Sequence, residues 1–138
     1  MNNLFTYGSL MFPEVWERLA GPGYRSAFAT LDGYLRRQVR GDTYPVIVPG
    51  DAMSRVEGML YFDLSPELLV KLDRFEGEFY LRRKIRVTAG KEGEDHEAFT
   101  YVLSEDYRHL LSEKEWDPGR FRKQALDLFL ADYVGFWR

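Results

Sequence analysis

The residues best equipped for chemistry lie in two short stretches. The first is "SPELLVKLDRFEGEFYLRR", residues 65–83. If residues 65–76 are helical, Leu69, Leu72 and Glu76 share one face by their three-then-four spacing, with Leu68 and Phe75 alongside. Glu76 therefore falls on the apolar stripe, while Glu67, Lys71, Asp73 and Arg74 fall on the wetter side. A carboxylate taken out of water is costly unless it is paired or protonated. Glu76 would also end its helix, where the macrodipole is negative and disfavours another negative charge. Both effects push its pKa upward, toward the range a general acid or base needs at neutral pH. A purely structural role fits the same position: Glu76 could cap the last turn, or pair with Arg82 or Arg83.

The second stretch is "LFTYGSLM", residues 4–11. Leu4, Phe5, Thr6 and Tyr7 read as a strand, Gly8 and Ser9 break it, and Phe12-Pro13-Glu14 opens a helix. A strand, a glycine turn and a helix start can aim backbone N–H groups at an anion, and Gly8 would let a ligand approach the main chain. Taken alone, the residues Tyr7, Gly8, Ser9 and Leu10 read more simply as an ordinary strand-to-helix connection. Glycines and a lysine at phosphate-loop spacing are missing.

Both stretches need elements to bring them together. Turn signals fall at Gly21-Pro22-Gly23, Asp32-Gly33, Gly41-Asp42, Pro49-Gly50-Asp51 and from Gly90 to Asp95. Between them lie strand-like runs at Leu4–Tyr7, Ser26–Val39, Tyr44–Val48, Val56–Leu64, Tyr80–Thr88 and Glu97–Leu103. A short helix opens at Pro13. A second starts with Ser65 as N-cap and Pro66 just inside, and stops at Gly77. A third is expected from Asp117-Pro118 to about Phe136, where Phe121, Ala125, Leu128, Phe129, Tyr133 and Phe136 form an apolar stripe. Strands outnumber helices and short turns join most of them. The expected fold is an α+β domain: a small, curled or closed mixed sheet with a few helices around it.

The 138 residues suit one domain, and 45% hydrophobic with 30% charged residues is a globular composition. No apolar run approaches the roughly 20 residues of a bilayer span, and Met1-Asn2-Asn3-Leu4 does not start a secretory signal. The absence of cysteine excludes disulfides and thiolate metal sites, and the expected location is the cytoplasm. A net charge of −3 argues against a nucleic-acid partner. The basic runs "LRRQVR" (35–40) and "YLRRKIR" (80–86) are the features that could favour one, but they read more simply as solvated outer faces of strands. His96 and His109 have no clustered ligands at metal spacing and read as surface residues. Trp16, Trp116 and Trp137 read as core aromatics at the barrel ends. Glu76 and Glu78 are too poorly placed to converge as a glycosidase pair.

Five motifs, taken in order, carry a resemblance: "FTYGSL" (5–10), "YPVIVPG" (44–50), "VEGMLYFDL" (56–64), "LDRFEGEFYLRRKIRV" (72–87) and "AFTYV" (98–102). Singly they are unspecific, but as an ordered set they span nearly the whole chain. The chain resembles the gamma-glutamylcyclotransferase-like family, in its avirulence-induced-gene-like branch, which includes gamma-glutamylamine cyclotransferases. The resemblance implies a small mixed β-barrel flanked by helices over residues 1–138. It also implies that Tyr7, Gly8, Ser9 and Leu10 line a substrate site and that Glu76 is the catalytic acid/base. The implied reaction cyclises a small gamma-glutamyl amine or amino acid to 5-oxoproline, without metal or cofactor. A non-catalytic barrel that binds a small molecule or an acidic partner is the alternative. The leaving group and the oligomeric state have no readable motif.

Overall fold

The computed structural model describes residues 2–41 and 44–124. Five strands close into a barrel in the order β1-β5-β2-β6-β7. These are β1 (Asn2–Thr6), β2 (Ser26–Asp32), β5 (Arg55–Leu64), β6 (Tyr80–Ala89) and β7 (Glu94–Leu103). Neighbours are antiparallel except at the closing seam, where β1 runs parallel to β7 with Leu4 opposite Phe99. Strands β3 (Tyr34–Gln38) and β4 (Pro45–Pro49) form a separate antiparallel pair. The run expected to be one strand from Ser26 to Val39 is therefore two. It breaks at Gly33, whose φ is +84°, and the second half leaves the barrel.

Strand alternation sorts the apolar residues into two cores. Phe5 and Tyr7, Ala29 and Leu31, Val56 and Leu60, Val87 and Ala89, and Ala98 and Val102 form one cluster with Ile47. Because every barrel strand contributes one face, this cluster fills the barrel. The opposite faces of β1, β5 and β7 supply Leu4, Tyr61 and Tyr101 to a second core, which Leu64 joins past Asp63, where φ is +60°. That core is covered by α1 (Pro13–Ala20), through Val15, Trp16 and Leu19, and by α2 (Pro66–Glu76), through Leu68, Leu69 and Leu72. At the start of α2 the Ser65 hydroxyl accepts the Leu68 N–H at 3.1 Å, and at its end the Gly77 N–H returns to the Asp73 carbonyl.

Beyond β7 the chain folds back on β3, with Arg40 N–H donating to the Leu110 carbonyl and Gln38 N–H to that of Lys114. This places Trp116 in the second core beside Phe121 of α3 (Pro118–Gln124). Of the long helix expected from Asp117-Pro118 to about Phe136, the described residues contain α3, Pro118–Gln124; the rest of that expectation lies outside the described residues, as does Trp137. Among the described residues no helix is long and apolar enough to cross a membrane.

Candidate active site

The turn after β1 is held from several directions. Tyr7 is buried, and its hydroxyl donates to the Tyr101 carbonyl on β7 at 2.6 Å. Its own carbonyl accepts Nη1 of Arg36 from β3 at 2.8 Å. The same guanidinium donates to the Glu57 carbonyl and lies 5.1 Å from the Trp116 ring centre. Ser9–Met11 then form one 3-10 turn, with Met11 N–H on the Gly8 carbonyl and Phe12 N–H on that of Ser9. The N–H groups of Ser9 and Leu10 open this turn and so have no acceptor inside it. Ser9 is buried. The Leu10 side chain packs into the helix-side core, and its carbonyl accepts the Tyr61 hydroxyl at 3.2 Å.

Gly8 is required here by contact, not by a left-handed backbone, since its φ is −124°. A Cβ on Gly8 would stand 2.7 Å from Cγ of Pro45. Pro45 cannot easily withdraw, because it opens the buried strand β4 and its carbonyl accepts the Tyr80 hydroxyl at 2.8 Å.

Glu76 is the last residue of α2 and is only partly exposed. Burial, with the Asp73 charge adding to it, pushes its carboxyl up to about 8. Among the described residues no hydrogen bond or ion pair engages that carboxyl. The cation expected to pair with it goes elsewhere: Nε of Arg82 lies 3.6 Å from Oδ1 of Asp73. Asp73 also accepts the Tyr101 hydroxyl at 2.6 Å. It is thus half-buried in a polar cluster instead of standing on a wet helix face. Tyr7 lies near enough to Glu76 for their charges to couple. Its hydroxyl is held well above the usual tyrosine range, first by burial and then by Tyr80 and Glu76.

Of the five residues expected to form the site, Tyr7, Gly8, Ser9 and Leu10 share one pinned turn, and Glu76 couples to its first member. Arg36 was expected on a solvated strand face, but it is partly buried against the Tyr7 carbonyl, and burial lowers its pKa. Arg82 is tied to Asp73, and Lys84 lies 3.8 Å from Glu97. Pro45, Tyr80 and Tyr101 fall inside three of the quoted motifs, which was the available signal for them. His109 is exposed, whereas His96 is partly buried edge-on to Phe62.

The family model for gamma-glutamyl cyclotransferase, AIG2-like, matches residues 4–118. AIG2-like protein C of Arabidopsis thaliana is 32% identical over 130 residues, covering 94% of this chain and 74% of that protein. AIG2-like protein D of the same plant is 32% identical over 132 residues, covering 94% and 85%. A solution structure of an Arabidopsis thaliana protein superposes with a TM-score of 0.72 at 28% identity, covering 99% of this chain and 81% of that one. A solved gamma-glutamyl cyclotransferase shares the fold, with a TM-score of 0.64 at 19% identity over 75% of this chain and 66% of that one. With its motifs, barrel and family match in agreement, the chain belongs to the gamma-glutamyl cyclotransferase, AIG2-like family.

Proposed function

We propose that this protein is a gamma-glutamyl cyclotransferase that converts a small gamma-glutamyl amine or amino acid to 5-oxoproline and a free amine. The observation that carries the reading is the desolvated carboxyl of Glu76, unpaired among the described residues, beside the turn that begins at Tyr7. The substrate's α-amino group attacks its own γ-carbonyl and closes a five-membered ring, so the protein has only to orient one molecule. An α-ammonium group must first lose a proton. A carboxyl raised from 4.5 to about 8 lies much closer to an amine in proton affinity, so the transfer to Glu76 is far less uphill. Glu76 then delivers that proton to the departing nitrogen as the γ-carbon–nitrogen bond breaks, and the second proton shed by the ring nitrogen follows by the same route, so that the amine leaves as its ammonium form. The N–H groups of Ser9 and Leu10 are suited to hold the substrate carboxylate or the developing oxyanion. A cytoplasmic setting suits a chain without cysteine.

The test is a panel of γ-glutamyl amines, γ-glutamyl amino acids and glutathione assayed for 5-oxoproline. At least one should be turned over, and kcat/KM should rise with pH and level off above about 8 as free-enzyme Glu76 ionises. Absence of 5-oxoproline from every compound would remove the reading.

A further inference from the structure

Three residues from three elements meet behind Glu76. Asp73 stands one helical turn before it on α2, at the spacing that makes side chains neighbours. Its carboxylate is held from two sides, by the Tyr101 hydroxyl of β7 at 2.6 Å and by Nε of Arg82 of β6 at 3.6 Å. Its main-chain carbonyl takes the Gly77 N–H that ends the helix, so the backbone on either side of Glu76 is fixed as well. Tyr101 joins this cluster to the substrate turn, because its carbonyl accepts the Tyr7 hydroxyl.

We infer that Asp73 is a positioning residue for Glu76: clamped by Tyr101 and Arg82, it keeps a fixed negative charge one turn behind the reacting carboxyl. The inference rests on the cyclotransferase reading for its catalytic meaning. The titratable groups coupled to Glu76 are Asp73 on its own helix, Tyr7 at the end of β1 and Tyr101 on β7. Burial keeps both tyrosines neutral, with pKa values above the ordinary tyrosine range. Arg82 on β6 and Arg36 on β3 approach the cluster through Tyr101 and Tyr7 respectively. Asp73 therefore supplies the anionic charge that Glu76 meets. A like charge nearby disfavours ionisation, so the proton Glu76 takes from the substrate amine is held more firmly until it is handed to the leaving group.

The experiment separates charge from support. Asp73→Asn keeps the shape and an acceptor for Tyr101 but removes the charge. Tyr101→Phe keeps the charge and the main-chain bond from Tyr7 but removes the side-chain clamp. The Glu76 carboxyl is titrated directly by NMR in protein labelled with 13C at glutamate, with Glu76→Gln to assign its resonance, and kcat/KM is followed against pH. In Asp73→Asn the midpoint should fall by roughly half a pH unit or more, and the acid limb of kcat/KM should fall with it. In Tyr101→Phe, where Arg82 still holds the Asp73 carboxylate, the midpoint should fall by clearly less than in Asp73→Asn. An unchanged midpoint in Asp73→Asn overturns the inference, and so does an equal fall in both variants, which would be loosening and not charge. A midpoint that falls in a protein making no 5-oxoproline would support the charge assignment and overturn the cyclotransferase reading.

Discussion

At the scale of single residues, the fold and the chemistry pull against each other at Glu76. Burial and the Asp73 charge raise its carboxyl from 4.5 to about 8, which means that ionising it inside the folded protein is unfavourable. The folded state consequently retains a proton that the unfolded chain has released. Between about pH 4.5 and 8 the native state binds more protons than the unfolded state, so Glu76 makes stability decline as pH rises through that window and level off above it. Glu76→Gln replaces the neutral acid with a neutral amide of the same shape. Near pH 5 its melting temperature should match the wild type, whereas near pH 9 the variant should be more stable by about 1–3 kcal/mol. Its cyclisation rate should drop at least about a hundredfold, the usual worth of a general acid–base group. Thermal melts at the two pH values, with turnover at the higher one, check both halves. A variant as active as wild type would remove Glu76 from the mechanism, and a melting temperature below wild type at pH 9 would mean that the carboxylate is stabilised rather than strained.

At the scale of elements, the turn after β1 keeps its shape because β3, β4, β6 and β7 each hold part of it. Arg36 takes the Tyr7 carbonyl, Tyr101 takes the Tyr7 hydroxyl, and Pro45, fixed by Tyr80, closes on Gly8. Gly8→Ala would bring a methyl within 2.7 Å of a proline ring that has little room to move. The turn should shift away from β4, with a stability loss of about 1–3 kcal/mol and loss of measurable 5-oxoproline binding by calorimetry. Ser9→Ala leaves every backbone donor in place and should weaken binding by at most about 1–2 kcal/mol. The reverse ranking would make the Ser9 hydroxyl the recognition element. The sequence displayed the two ends of this arrangement and concealed its middle. Local signals placed α2 well, because Ser65, Pro66 and Gly77 act through their own backbone and immediate neighbours. The helical spacing that put Glu76 on the apolar stripe is likewise a local property. Arg36 could not be read in this way, since a strand's period of two gives the face of a residue without saying what covers that face. Here the cover comes from Trp116 and from the Tyr7 carbonyl, 80 and 29 positions away in the chain. Asp73 escapes a local reading for the same reason: helical periodicity turns it toward water, and only the barrel brings Tyr101 and Arg82 to meet it.

At the scale of the whole molecule, charge placement bears on whether the barrel could bind a polyanion. The basic runs on β3 and β6 could have formed a continuous positive face. Instead Arg36 points inward to main-chain carbonyls, Arg82 is matched by Asp73, Lys84 by Glu97, and Arg37 lies 3.9 Å from Glu115. Further pairs join Arg55 to Asp32 and Arg25 to Asp63 across the barrel strands. Most of these pairs are exposed and add little stability, yet each lowers the local positive potential that a nucleic-acid backbone would meet. Long-range attraction is weak as well, because the net charge is −3 and ions screen beyond about 8 Å at physiological salt. Affinity for single- or double-stranded nucleic acid should therefore be no stronger than the nonspecific range of about 10⁻⁴–10⁻⁶ M at physiological salt. Fluorescence anisotropy with labelled oligonucleotides, repeated at two salt concentrations, measures this directly. Weak binding that vanishes with added salt is the expected result. Submicromolar binding, lost on replacing Arg82 and Lys84 with glutamine, would show that the β6 face recruits an acidic partner despite its paired acids.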